Sequence, residues 1–107
     1  MLMNYNYRRS KMAKRSSKTK HNEKVKQIAQ KYKREGWNVQ ADLSGCDKPN
    51  PIGKHQRIPD IRATKKGAER LIEVETQETM RSDKKQHETF RRRSAQKPRS
   101  TFSIEEV

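Results

Sequence analysis

The span from residue 58 to residue 76 constrains this chain more than any other part of it. Ile58, Ile61 and Ala63 supply the apolar side of one β-strand, and Leu71, Ile72 and Val74 that of a second. Lys65, Lys66 and Gly67 between them carry turn chemistry, so the span is predicted to be a β-hairpin. The first strand carries Asp60, and the second carries Glu73 and Glu75. Side chains alternate along a strand, so Glu73 and Glu75 share a face, roughly 7 Å apart. Pairing of the two strands can bring Asp60 onto that face as well.

Three carboxylates drawn together beside apolar residues repel one another, and each raises the others' pKa unless a cation lies between them. A divalent metal relieves this, and Mg²⁺ takes one or two carboxylates together with water and a substrate phosphate. The surrounding sequence is basic, which suits a polyanion. Carboxylates on a basic surface, with a metal between them and a phosphodiester, describe a nuclease site. The plainer alternative is that Glu73 and Glu75 form the solvated face of a half-exposed strand.

At these residues the chain resembles the PD-(D/E)XK nuclease superfamily, which includes restriction endonucleases and Holliday junction resolvases. Pro59 and Asp60 match the first part of the motif, and Glu73 and Val74 match the start of the second. The third position is Glu75 where the motif has Lys, a replacement also present in some active restriction enzymes of the superfamily. The resemblance implies Asp60 and Glu73 as primary metal ligands, with Mg²⁺ as cofactor and Mn²⁺ able to substitute. Glu75 is left as a general base or a ligand to a second metal. Resolvases carry a metal-reaching Glu on their first helix, and Glu23 is the matching residue here. Gln86 and Phe90 resemble the Gln-x-x-x-Tyr pattern of RecB-like members. Lys84, Lys85 or Gln86 is placed to supply the polar or cationic group that Glu75 lacks, and Gln77 to border the site.

The rest of the chain fits around this hairpin. Residues 1–20 hold Arg8, Arg9, Lys11, Lys14, Arg15, Lys18 and Lys20 and no acid, which is read as a flexible basic arm contacting phosphates. Tyr5 and Tyr7 in this arm are candidates for stacking on bases. Residues 21–107 form the nuclease-like domain. Within it, residues 22–36 are predicted to be an amphipathic helix built on Val25, Ile28, Ala29 and Tyr32, capped by Asn22 and ended by Gly36. Residues 37–43 alternate as a first strand, with Asp42 a solvated acid at its end. Residues 44–57 are a basic loop broken by Gly45, Pro49, Pro51 and Gly53 and read as substrate-contacting. Cys46 and His55 lack a zinc spacing. A helix over residues 82–96, capped by Ser82 or Asp83, presents His87, Phe90 and Ser94 on one face. Phe102 and Ile104 mark a last strand. The resulting order, αβββαβ, is that of the restriction endonuclease-like core, an α/β fold with a central mixed sheet flanked by helices.

The 107 residues carry a formal charge of +14, and the pI is near 10.3. This favours an anionic partner, DNA first. Arg8, Arg9, Lys14, Arg15, Lys54, Arg57, Lys84, Lys85, Arg91 and Arg92 are the candidate phosphate contacts. With only 28% of residues hydrophobic, a small core is expected, which favours a homodimer. A single cysteine excludes an internal disulfide, and no apolar run spans a membrane, so a soluble, cytoplasmic protein is expected. The reading is a metal-dependent DNA endonuclease, selective for DNA structure more than sequence. The competing readings are a catalytically inactive nucleic-acid-binding protein of the same fold and a basic ribosome-associated or structural protein.

Overall fold

Seven elements follow one another along the chain: α1 (Leu2–Arg34), β1 (Asn38–Ala41), β2 (Ile61–Lys65), β3 (Ala68–Glu75), α2 (Gln77–Ser82), α3 (Lys84–Gln96) and β4 (Ser100–Glu106). The structure is a computed structural model; it describes the backbone of residues 2–107 and the side chains of residues 18–107. The strands form one sheet in the order β1-β2-β3-β4. β1, β2 and β3 pair antiparallel, whereas β4 runs parallel to β3. A parallel neighbour needs a crossover, and α2 and α3 supply it. The molecule is thus an α/β fold with a mixed sheet flanked by helices.

Alternation along the strands sorts the core into two layers. Val39, Ala41, Ile61, Ala63, Ile72 and Val74 face α1, where Val25 and Ala29 meet them, and Ile28 and Tyr32 pack at the margin. On the opposite face Leu71 packs with Phe90 of α3, Ile52 of the long loop and Phe102 of β4. β3 is covered on both faces, and its residues from Leu71 to Glu75 are all buried. That burial rules out a solvated face for Glu73 and Glu75.

Several boundaries differ from expectation. α1 begins at Leu2, so the helix runs through Asn22 and does not start there. The physical reason is that neither Gly nor Pro occurs before Gly36, and Lys, Arg and Ala are good helix formers despite their mutual repulsion. Asn22 Oδ1 instead lies 3.1 Å from His21 Nδ1. Gly36 ends the helix as predicted. Its φ is +89°, the Gly36 N–H donates to Lys33 O, and the Trp37 N–H donates to Tyr32 O. This is a Schellman cap, sealed by the edge-to-face contact of Tyr32 with Trp37. Trp37 is therefore part of the cap and not of β1, which is shorter than residues 37–43.

The hairpin turn narrows to Lys66 and Gly67, with φ of +48° and +84°, the pair of left-handed residues that suits a two-residue turn. β2 starts at Ile61, leaving Asp60 just before it. The helix expected over residues 82–96 is α3, starting at Lys84 with Asp83 at its N-cap, and a short helix that was not expected, α2, precedes it. Thr76 opens α2 through a capping box with Thr79, and the chain breaks at Asp83 before α3 starts. The loop between β1 and β2 closes on itself through a two-way backbone pairing of Ile52 with Arg57.

Candidate active site

The antiparallel register of β2 and β3 ends at the pair Ile61 and Ile72. One step further the ladder is replaced by a side chain. The Val74 N–H donates to Asp60 Oδ2 at 2.8 Å, and this draws the carboxylate across onto β3. Asp60 thereby comes within hydrogen-bonding reach of Glu73, a residue 2% exposed. From α3, Gln86 Nε2 donates to Glu73 Oε1 at 2.8 Å. From α1, His21 Nε2 stands 3.4 Å from Asp60 Oδ2. All three layers therefore contribute a side chain to one acid pair.

Burial pushes the Glu73 carboxyl up to about 10, and the neighbouring Asp60 carboxylate adds to the rise. The Gln86 hydrogen bond acts against it, and Glu75 contributes further repulsion. At neutral pH and without a cation, Glu73 therefore holds a proton. A divalent cation between the two carboxylates would take that proton's place. The oxygen-only donor set of Asp60 and Glu73 suits a hard ion such as Mg²⁺.

Glu75 lies on the same face as Glu73, as predicted, but its partners differ. Its Oε1 is 2.9 Å from His87 Nε2, and both residues are almost wholly buried. Asp83 approaches the same carboxylate, and burial together with the Glu75 charge pushes Asp83 up from the usual carboxylate range. Glu23 is exposed on α1; among the described residues it is His21, two positions earlier, that reaches the acids. His21 precedes Val25 by one helical turn and so belongs to the same apolar stripe, a signal present in the sequence.

Lys84 and Lys85 are exposed and point to solvent, and Gln86 is the α3 residue that enters the site. Gln77 lies in the first turn of α2, exposed. Asp42 pairs with Lys48 at 3.5 Å on the surface, in keeping with a solvated acid.

Sequence reasoning passed over Glu69, which is fully buried at the far end of β3 from Glu75. Arg62 Nε donates to it at 2.9 Å and Ser100 Oγ at 2.8 Å, with Arg93 and Lys97 at 3.5 Å. Burial raises this carboxyl, but the hydrogen bonds from Ser100, Arg62 and Arg93 outweigh burial and hold it at about 2. The same strand face thus carries one well-compensated acid and one that is not.

The basic residues divide by location. Lys54, Lys84, Lys85, Arg91 and Arg92 are exposed, while Arg57 is half-buried. Arg91 lies over the Phe102 ring at 5.7 Å. Arg92 and Arg93 of α3 face Lys54 and His55 of the long loop across a cavity of about 300 Å³. Gln86 and Arg92 are six residues apart on α3, about 9 Å along the helix axis. Arg8, Arg9, Lys14 and Arg15, with Tyr5 and Tyr7, lie outside the described side chains. No helix among the described residues is long and apolar enough to cross a membrane. No family model matches the chain, and no curated protein is significantly similar to it.

Proposed function

We propose that this protein is a Mg²⁺-dependent endodeoxyribonuclease built on a restriction endonuclease-like core. The observation that carries the reading is the Asp60–Glu73 pair: two carboxylates forced together, one of them buried, in a chain with a formal charge of +14. Structural acids in such a chain are more easily matched by its many cations, as Glu69 is. The element order and the mixed sheet with α1 on one face and α3 on the other agree with the same reading.

In this reading Asp60 and Glu73 hold the ion, which when bound acidifies water and neutralises charge developing on the phosphate; Mn²⁺ would serve in its place. Gln86 holds Oε1 of the Glu73 carboxyl in place, so that the carboxylate would be presented to the ion in a fixed orientation. The Val74 N–H holds Asp60 in the same way. His21, beside Asp60, is the titratable side chain positioned to pass a proton to the leaving oxygen. Lys54, His55 and Arg92 take the neighbouring phosphates, with Arg57, Lys84, Lys85 and Arg91 extending the basic track. DNA is the partner, and a homodimer belongs to the same proposal because the core is small.

The test is a panel of junction, flap, duplex and single-stranded DNA incubated with Mg²⁺, Mn²⁺ or EDTA. Wild type should cut in either metal and not in EDTA. Asp60→Ala and Glu73→Ala should each lower cleavage by about a thousandfold or more. A second reading, nucleic-acid binding without cleavage, is favoured by one observation: Glu75 is engaged with His87, and among the described residues no lysine is bonded to the acid pair. Salt-sensitive binding with no cutting of any substrate would select it.

A further inference from the structure

β3 passes through α2 into α3 at a corner where Glu75, Asp83 and His87 meet. One donor atom from each lies within 4.8 Å of the other two. Three features of this cluster are unexplained by packing alone. Glu75 is 1% exposed, and its Oε2 is buried with no hydrogen-bond partner, an arrangement that a carboxylate oxygen resists. Asp83 holds the N-cap position of α3, where its carboxylate would ordinarily accept from a free helix N–H, yet it makes no capping bond. Finally, two carboxylates are gathered here while, among the described residues, neither is paired with a lysine or arginine.

We propose that Glu75, Asp83 and His87 bind one divalent transition ion, with Zn²⁺ the best fit. The site is separate from the Asp60–Glu73 pair and does not depend on it. The donor chemistry selects the ion: an imidazole nitrogen with two carboxylates suits Zn²⁺, whereas Mg²⁺ prefers oxygen alone. Donors held about 2.0–2.2 Å from a tetrahedral ion lie about 3.3–3.6 Å from each other. His87 Nε2 and Glu75 Oε1 are 2.9 Å apart and would open by only about half an ångström to reach that spacing. Binding would replace the proton between them and give Glu75 Oε2 a partner. A cavity of about 260 Å³ beside His87, bounded by Met80, Lys84 and Ile104, would give the ion a route from solvent. The ion would tie β3 to the start of α3. His87 adjoins Gln86 in the chain, so occupancy would also set the position of Gln86 against Glu73.

The experiment is a Co²⁺ titration of the metal-free full-length protein, read by visible absorption and followed by displacement with Zn²⁺. Wild type should develop a saturable band at one equivalent, abolished by Zn²⁺. Asp60→Asn should retain it. Asp83→Asn and His87→Gln should each weaken binding by at least about 100-fold, since loss of a direct ligand exceeds loss of an outer partner. Asp83 is only half-buried, so its variant should fold, as circular dichroism will check, and it decides the matter if His87→Gln does not fold. No saturable band in wild type, full affinity in Asp83→Asn, or loss of the band in Asp60→Asn would each overturn the proposal. No DNA is present, so this result and the cleavage assay fail independently.

Discussion

Glu69 and Glu73 lie on one face of one strand and respond to pH in opposite directions. Glu69 is held at about 2 in the fold against an ordinary value of 4.5, so its contribution is complete above pH 4.5 and is lost as pH falls towards 2. Glu73 is raised from 4.5 to about 10, so the fold is favoured most below pH 4.5 and is progressively destabilised as pH rises towards 10. Metal-free protein should therefore lose stability on both sides of about pH 5. Glu73→Gln keeps the shape and removes the charge. It should abolish the alkaline decline and raise Tm at pH 8 by roughly 4–8 °C, the equivalent of about 1 kcal/mol in a domain of this size. Mg²⁺ should raise the Tm of wild type at that pH and leave Glu73→Gln unmoved. Thermal melts from pH 4 to 9, with and without Mg²⁺, read all of this; an unchanged pH profile in the variant would remove the buried acid pair from the account.

Elements set which side chains can meet. The Schellman cap at Gly36 turns the chain from α1 into β1 and positions Trp37, over which Lys65 and Arg70 stack at 5.9 and 5.2 Å. A Cβ at Gly36 would have space, its nearest neighbour being Lys65 Nζ at 3.6 Å, so the cost of Gly36→Ala is conformational. That substitution should destabilise by about 1–2 kcal/mol, measured by urea unfolding, with no change in metal or DNA binding. The cap was legible because a lone glycine after an apolar-periodic run is a local signal. The short helix α2 was not. Its signal, Thr76 followed by Thr79, departs from the usual Ser/Thr-x-x-Glu box. Of the two caps expected for the following helix, Ser82 and Asp83, it is Asp83 that stands at the head of α3, facing Glu75.

Across the whole molecule the charge sets binding more than any single contact. The basic cavity between the long loop and α3, with the exposed lysines at the start of α3, makes a track along one side of the helix. Each phosphate neutralised releases counterions, so affinity for a duplex should fall linearly on a log–log plot against salt. Lys85→Glu and Arg92→Glu should each reduce that slope by about 1, read by fluorescence anisotropy of labelled DNA at several salt concentrations. A slope unaltered in both variants would take α3 out of the interface.

The hairpin, its turn, the placement of Glu73 and Glu75 on one face, the last strand and the cap at Gly36 were all determined by the sequence itself, because each rests on contacts within a few residues. Asp60 beside Glu73 was half-legible, since it follows once the turn sets the register. The partners of the acids were decided only by the tertiary structure. His87 is 12 residues from Glu75 and Ser100 is 31 from Glu69, so which cation or hydroxyl reaches which carboxylate depends on how α3 and β4 fold back over β3. The extent of desolvation is equally non-local: β3 is stripped of water only because α1 covers one of its faces and α3 the other, and that double cover is what turns a run of alternating acids into a proton-holding carboxyl at Glu73 and an open ligand set at Glu75.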